Sequence, residues 1–166
     1  MVFSSAMYSI CLRYTKNTDE AADILQDAFI KIYEKRKSFN PKFELASWIK
    51  RIVINTAIDH YKKNKKMILI EDNNYFEAET NHTIEIDSTE DIKLKLLSTL
   101  QLLPEGYRTV FNLYVLDNLT HQEISEFLNI SVNTSKSQLS RARKMLKILL
   151  EKNNITKHSM THAERA

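Results

Sequence analysis

The sequence predicts an all-helical protein of 166 residues, on three observations. One glycine (Gly106) and two prolines (Pro41, Pro104) leave almost nothing for tight hairpins or a phosphate-cradling glycine loop. Leu, Ile, Lys, Glu and Ala are plentiful, and apolar residues recur at intervals of three and four along most of the chain. Hydrophobic residues make up 43% and charged residues 27%, proportions that suit a soluble protein of one or two small domains with modest cores.

Composition also excludes several classes. No apolar run approaches the ~18 residues of a membrane span, and no basic segment precedes a long apolar stretch at the N-terminus, so a cytoplasmic protein is expected. A single cysteine, Cys11, forbids an intramolecular disulfide. The five histidines are scattered without finger-like spacing, so neither a metal nor another cofactor is expected, and His60, His82, His121, His158 and His162 read as surface groups. No Ser/His/Asp set or pair of carboxylates on one helix face stands out, and no enzymatic activity is expected.

The net charge of +3 conceals a strong asymmetry. Residues 1–66 carry 13 Lys/Arg against 7 Asp/Glu, and residues 93–152 carry 9 against 5. Between them, residues 67–92 hold 8 acids and no Lys or Arg. The expected organisation is two basic helical domains, 1–66 and 93–152, an acidic, mostly irregular linker over 67–92, and a tail from 153 to 166. Two basic surfaces favour a polyanionic partner, with a solvated lysine face as the plainer reading.

The first helix is expected over about 19–37. Leu25, Phe29 and Ile32, with Ile24 and Ala28 beside them, form its apolar stripe; Thr18 is its N-cap, and Asp19 and Glu20 suit the positive end of the helix dipole. After the break at Phe39-Asn40-Pro41-Lys42, a second helix runs to about 64. Leu45, Trp48, Ile49, Ile52, Val53 and Thr56 line its core side, and Arg51, Asn55, Asp59 and Lys62 recur on a polar side. In the last block Ile92, Leu96, Leu97 and Leu100 share one face of a helix that ends near Leu103. The chain restarts after Pro104 with Val110, Phe111, Leu113 and Tyr114.

Between Leu119 and Leu150 the local signals converge. Thr120-His121-Gln122-Glu123 is a capping-box pattern, and Leu119 with Ile124 has the spacing of a hydrophobic staple, so a helix starts at 121. Ile124, Phe127 and Leu128 bury one face, Asn129-Ile130-Ser131 turns the chain, and Ser131 caps a second helix with Val132, Leu139, Ala142, Leu146 and Leu149 inward. This is a helix-turn-helix. Asn133, Ser137, Ser140, Arg141 and Lys144 recur on the opposite face, with Lys136 at the end that in such motifs contacts base edges.

Four segments resemble one family. They are Asp23-Ile24-Leu25-Gln26-Asp27-Ala28-Phe29, Phe39 with Trp48 through Asp59, Leu103-Pro104-Glu105 through Arg108, and Thr134 through Arg143. In this order they resemble an extracytoplasmic-function (ECF) sigma factor of bacterial RNA polymerase over roughly residues 3–150. The resemblance implies that core RNA polymerase, promoter DNA and an anti-sigma factor are partners. It also implies one more helix before the segment 1–15, so the first domain is expected to lack its opening helix.

By this resemblance Asp23, Gln26, Asp27 and Phe29 contact the polymerase clamp, with Leu25 and Ile32 left to the core. Phe39, Asn40 and Lys42, with Asn55, recognise the minus-ten element and hold an extruded base; Arg51, Lys62, Lys63, Lys65 and Lys66 hold phosphates. An aromatic wall and an amide suit that role, because extruding a base costs a few kcal/mol that stacking and hydrogen bonding can return. Lys136, Ser137, Ser140 and Arg141 match the readers of the minus-thirty-five element, with Arg143 and Lys144 nearer phosphates. The acidic linker matches a segment that threads the polymerase channel. The chain departs from the family pattern at Pro41, Leu45 and Gln138.

The competing expectation is a free-standing helix-turn-helix regulator, with the N-terminal block as a dimerisation or effector module. Residues 19–37 and 39–59 discriminate, since such a regulator has no use for a polymerase-docking face followed by an aromatic, Asn-bearing helix. A nuclease-like enzyme is a distant third, because the acids that would hold its metal concentrate in the linker.

Overall fold

The computed structural model describes residues 4–68 and 89–152, which belong to two compact units, Met1–Asn74 and Tyr75–Ala166. Most of the expected acidic linker, and the tail from 153, lie outside the described residues. Helices enter the expected linker at both ends, to Ile68 and from Thr89. Among the described residues there is no strand, and no helix is long and apolar enough to cross a membrane.

The first unit is built from α1 (Ser4–Tyr14), α2 (Thr18–Lys35), a 3₁₀ turn (Arg36–Ser38) and α3 (Leu45–Ile68), each helix packed on the other two. Helix α1, to which the sequence reading gave no element, supplies Met7, Ile10, Cys11 and Tyr14 to the core. Its presence changes which face of α2 is buried: Ala21, Ile24 and Ala28 point inward, where two alanines let the helices approach closely. Leu25, Phe29 and Ile32 are only half-buried, a shift of the expected stripe. The α2 cap is Asn17, not Thr18: its backbone is extended and its Oδ1 accepts the Glu20 N–H at 2.8 Å. Burial pushes the Cys11 thiol up to about 11, against weaker opposing pulls from the backbone and Arg13.

Helix α3 buries Ile49, Ile52, Val53, Ile54, Thr56, Ala57, Ile58 and Tyr61, a wide apolar face because it meets both other helices. Leu45, expected in this core, is 43% exposed at the first position of α3, before the helix reaches its neighbours. Two polar contacts tie α2 to α3: Lys31 Nζ to Asp59 Oδ2, and His60 Nε2 to Asp27 Oδ2, each 3.0 Å.

The second unit contains α4 (Thr89–Gln101), α5 (Glu105–Phe111), α6 (His121–Leu128) and α7 (Val132–Lys152). Leu103, Ala142 and Leu146 form a buried cluster against which Leu100, Tyr107, Phe111, Met145 and Leu149 pack. The segment after Pro104 is not one α-helix. It widens into a π-turn over Asn112–Leu116, with the Asp117 N–H donating to the Asn112 carbonyl at 2.9 Å. Asn112 and Leu113 are buried in this turn. Asn118, at φ 57°, then turns the chain toward α6.

Candidate nucleic-acid interface

On α2, Asp23, Gln26 and Asp27 are exposed and Phe29 is half-buried. Gln26 and Phe29 line an open apolar groove of about 640 Å³ with Tyr8, Ala22, Leu25, Ile30 and Tyr33. Asp27 also contacts His60 of α3, at 3.0 Å. Leu25, expected in the core, belongs to the groove, and His60, expected at the surface, is half-buried in an interhelical contact.

Between α2 and α3 the chain makes a tight turn. The Phe43 N–H donates to the Asn40 carbonyl and the Lys42 N–H to Asn40 Oδ1, each at 3.0 Å, with Pro41 supplying a preset φ at the second position. On either side of it in sequence, the Phe39 and Trp48 rings meet at 5.3 Å and 56°, both half-buried. Asn40 and Lys42 are exposed. On α3, Arg51, Lys62 and Lys63 are exposed and Asn55 is half-buried. Asp59, expected on this polar side, is held by Lys31 of α2, which takes its charge out of the stripe. The side chains of Lys65 and Lys66 lie outside the described residues. Sequence reading missed Phe43, which is 69% exposed at the end of the turn.

The helix-turn-helix is built from local hydrogen bonds. Thr120 Oγ1 accepts the Glu123 N–H at 3.2 Å while Glu123 Oε2 accepts the Thr120 N–H at 2.7 Å, a reciprocal box that starts α6. Asn129, at φ 54°, ends the helix, and the Ile130 N–H returns to the Ser125 carbonyl at 3.0 Å. Ser131 Oγ then accepts the Thr134 N–H at 2.9 Å and starts α7. Ser135, Leu139, Ala142 and Leu146 face inward along α7. Lys136, Ser137, Ser140, Arg141, Arg143 and Lys144 are all exposed. Ser137 Oγ donates to the Thr134 carbonyl at 3.0 Å, and Arg143 leans over the Tyr114 ring, 5.8 Å from its centroid.

His121, expected at the surface, is half-buried at the joint between α6 and α7. Its ring stacks on Tyr114 at 4.4 Å and 24°, and Nδ1 lies 2.9 Å from the hydroxyl of fully buried Ser135. Burial and then the nearby charges of Lys136 and Arg143 hold its pKa below the usual imidazole value.

A two-unit helical protein with a basic aromatic turn in one unit and a helix-turn-helix in the other is the architecture of a sigma-70-type protein. Residues 3–67 match the model of sigma-70 region 2 and residues 93–146 that of sigma-70 region 4. The ECF RNA polymerase sigma factor SigW of Bacillus subtilis is 35% identical, covering 88% of this chain and 83% of its own. SigM of the same organism is 31% identical over 89% of this chain and 90% of its own, and the Escherichia coli K12 ECF sigma-E factor 30% identical over 83% and 77%. The chain belongs to the ECF RNA polymerase sigma factors. The fold is also that of the Bartonella quintana sigma factor RpoE, crystallised with the anti-sigma factor NepR, at a TM-score of 0.56 and 23% identity, covering 90% of this chain and 92% of that one.

Proposed function

We propose that this sigma factor directs core RNA polymerase to promoters in the cytoplasm through two separate DNA contacts and one polymerase contact, with no catalysis of its own. The observation that carries the proposal is the run of exposed polar and cationic side chains on α7, Lys136, Ser137, Ser140, Arg141, Arg143 and Lys144, opposite a buried face that fixes the helix in its unit. A helix held in that way presents donors to the major groove, where its N-terminal turns read base edges. This is the minus-thirty-five contact. Ser137 Oγ donates to the Thr134 carbonyl, so it reads DNA as an acceptor through its lone pairs or as a donor after rotation.

The minus-ten contact uses the turn and the polar side of α3. Phe39, stiffened by Trp48, is the aromatic wall; Asn40 and Lys42 sit in the turn after it, and Asn55 reads the extruded base. Arg51, Lys62 and Lys63 neutralise phosphates. Asp23, Gln26, Asp27 and Phe29 contact polymerase, Gln26 and Phe29 through the apolar groove and Asp27 in an orientation set by His60. An anti-sigma factor is the expected regulator, consistent with the NepR complex of the Bartonella relative. Residues 1–66 and 93–152 act as the two functional domains, joined by 67–92.

Run-off transcription with the full chain, core polymerase and a library of randomised promoters tests the proposal. Discrete transcripts with two sequence blocks at fixed spacing are the expected result. DNA binding without polymerase-dependent transcripts would favour a free-standing regulator.

A further inference from the structure

Among the described residues Phe43 is the most exposed of the large hydrophobic side chains at 69%, and it does not project from a floppy segment. It closes a turn that Pro41 stiffens and that two hydrogen bonds of 3.0 Å from Asn40 fix. On either side of the turn in sequence, the Phe39 and Trp48 rings meet at 5.3 Å. A ring presented to water in a fixed position is unfavourable for the free protein and so points to a partner with an apolar face. Its neighbourhood narrows the choice. Lys35, Arg36, Lys37 and Lys42 are exposed in the same short segment, outnumbering the acids Glu34 and Glu44; Glu44 is engaged by Ser47, whose Oγ donates to its Oε2 at 2.8 Å. Tyr33, also exposed, lies under the Arg36 guanidinium at 3.9 Å.

Aromatic faces interleaved with cations are the physical means by which proteins hold a single nucleic-acid strand: cations track the phosphates and rings stack on bases of any sequence. A protein partner with an apolar pocket would not call for four exposed cations in the same short segment. We propose that Phe43 is a stacking platform for an unpaired promoter base next to the one held at Phe39 and Asn55, so that the opened strand is gripped at two successive positions. The inference rests on the proposed minus-ten role of the turn and of α3, and it adds a residue and a second base to that contact. Because a stack accepts any base, Phe43 contributes to holding the open state and adds little sequence preference.

The test uses holoenzyme reconstituted from the full chain and core polymerase. It is titrated with a labelled mixed-sequence duplex carrying a pre-opened bubble and with the same duplex fully paired. Phe43→Ala is expected to weaken bubble binding about five- to a hundred-fold, leave paired-duplex binding and core assembly unchanged, and keep the salt slope, since no cation is removed. Phe43→Trp should restore bubble binding and gain an indole emission quenched by the bubble, whereas Phe43→Leu should not restore it. Equal bubble affinity for wild type and Phe43→Ala, or full rescue by Phe43→Leu, would overturn the inference. So would a loss of core assembly in Phe43→Ala, which would place the ring against polymerase. If Asn55→Ala lowers bubble binding while Phe43→Ala does not, only the Phe43 inference fails. If the wild type shows no bubble preference, the minus-ten reading fails and takes this inference with it.

Discussion

Asn55 and Arg141 carry the two sharpest expectations for individual side chains. Asn55 is half-buried on α3, next in sequence to the core positions Ile54 and Thr56. An amide that reads a base only after strand separation contributes one or two hydrogen bonds, each worth about 0.5–1.5 kcal/mol net. Asn55→Ala should therefore reduce promoter opening several-fold and spare polymerase and upstream duplex binding. Permanganate footprinting of thymines in the opened region measures it, and normal melting by the variant would remove Asn55 from the site. Arg141 is exposed one turn beyond Ser137 on α7. If its guanidinium reads a guanine edge, Arg141→Ala costs about 1–3 kcal/mol and relaxes preference at one upstream position. Fluorescence titrations of upstream duplexes, varied base by base at two salt concentrations, check this. A uniform loss with a salt slope lower by about one would assign Arg141 to phosphate instead.

Among the described elements, the α6–α7 joint carries a pH signature near neutrality. His121 packs between Tyr114 on the π-turn and Ser135 at the start of α7; Lys136 and Arg143 bring positive charge from α7, and Glu123, on α6 itself, is committed to the capping box. Its folded pKa lies below the ordinary value, so the unfolded chain takes up the proton more readily. Stability from this site is complete above about pH 6.5 and is lost as pH falls below it toward the lower folded value. Thermal melts of wild type and His121→Gln between pH 7.5 and 5.5 should converge as pH falls, because the variant lacks the titrating group. A constant gap across that range would rule out the coupling. The sequence predicts a plain helix after Pro104 because a π-turn has no composition signature.

At the scale of the molecule, the helices of each unit supply buried apolar residues to a core. In the second unit Leu103, Val110, Leu113, Ile124, Leu128, Leu139, Ala142 and Leu146 are buried. A fragment of residues 93–152 should accordingly be helical by circular dichroism and melt in a single cooperative transition. A fragment that stays unfolded would mean that the core is incomplete as described.

The sequence by itself determined the helical class, the reciprocal box at Thr120 and Glu123, the turn at Asn129 and the cap at Ser131, because each depends on residues within three or four positions of one another. It also carried the family, whose motifs are local strings. Only the tertiary structure decided which of two overlapping stripes on α2 turned inward, since Ala21, Ile24 and Ala28 are selected by α1 and α3 and not by α2 itself. The same holds for Asp27 against His60, Lys31 against Asp59 and His121 against Ser135: the partners stand 33, 28 and 14 residues apart, beyond any periodicity. Exposure of Leu45 and Phe43 belongs here too, because a hydrophobic residue is buried only where a neighbouring element arrives to cover it, and no helix of this unit does so at the turn.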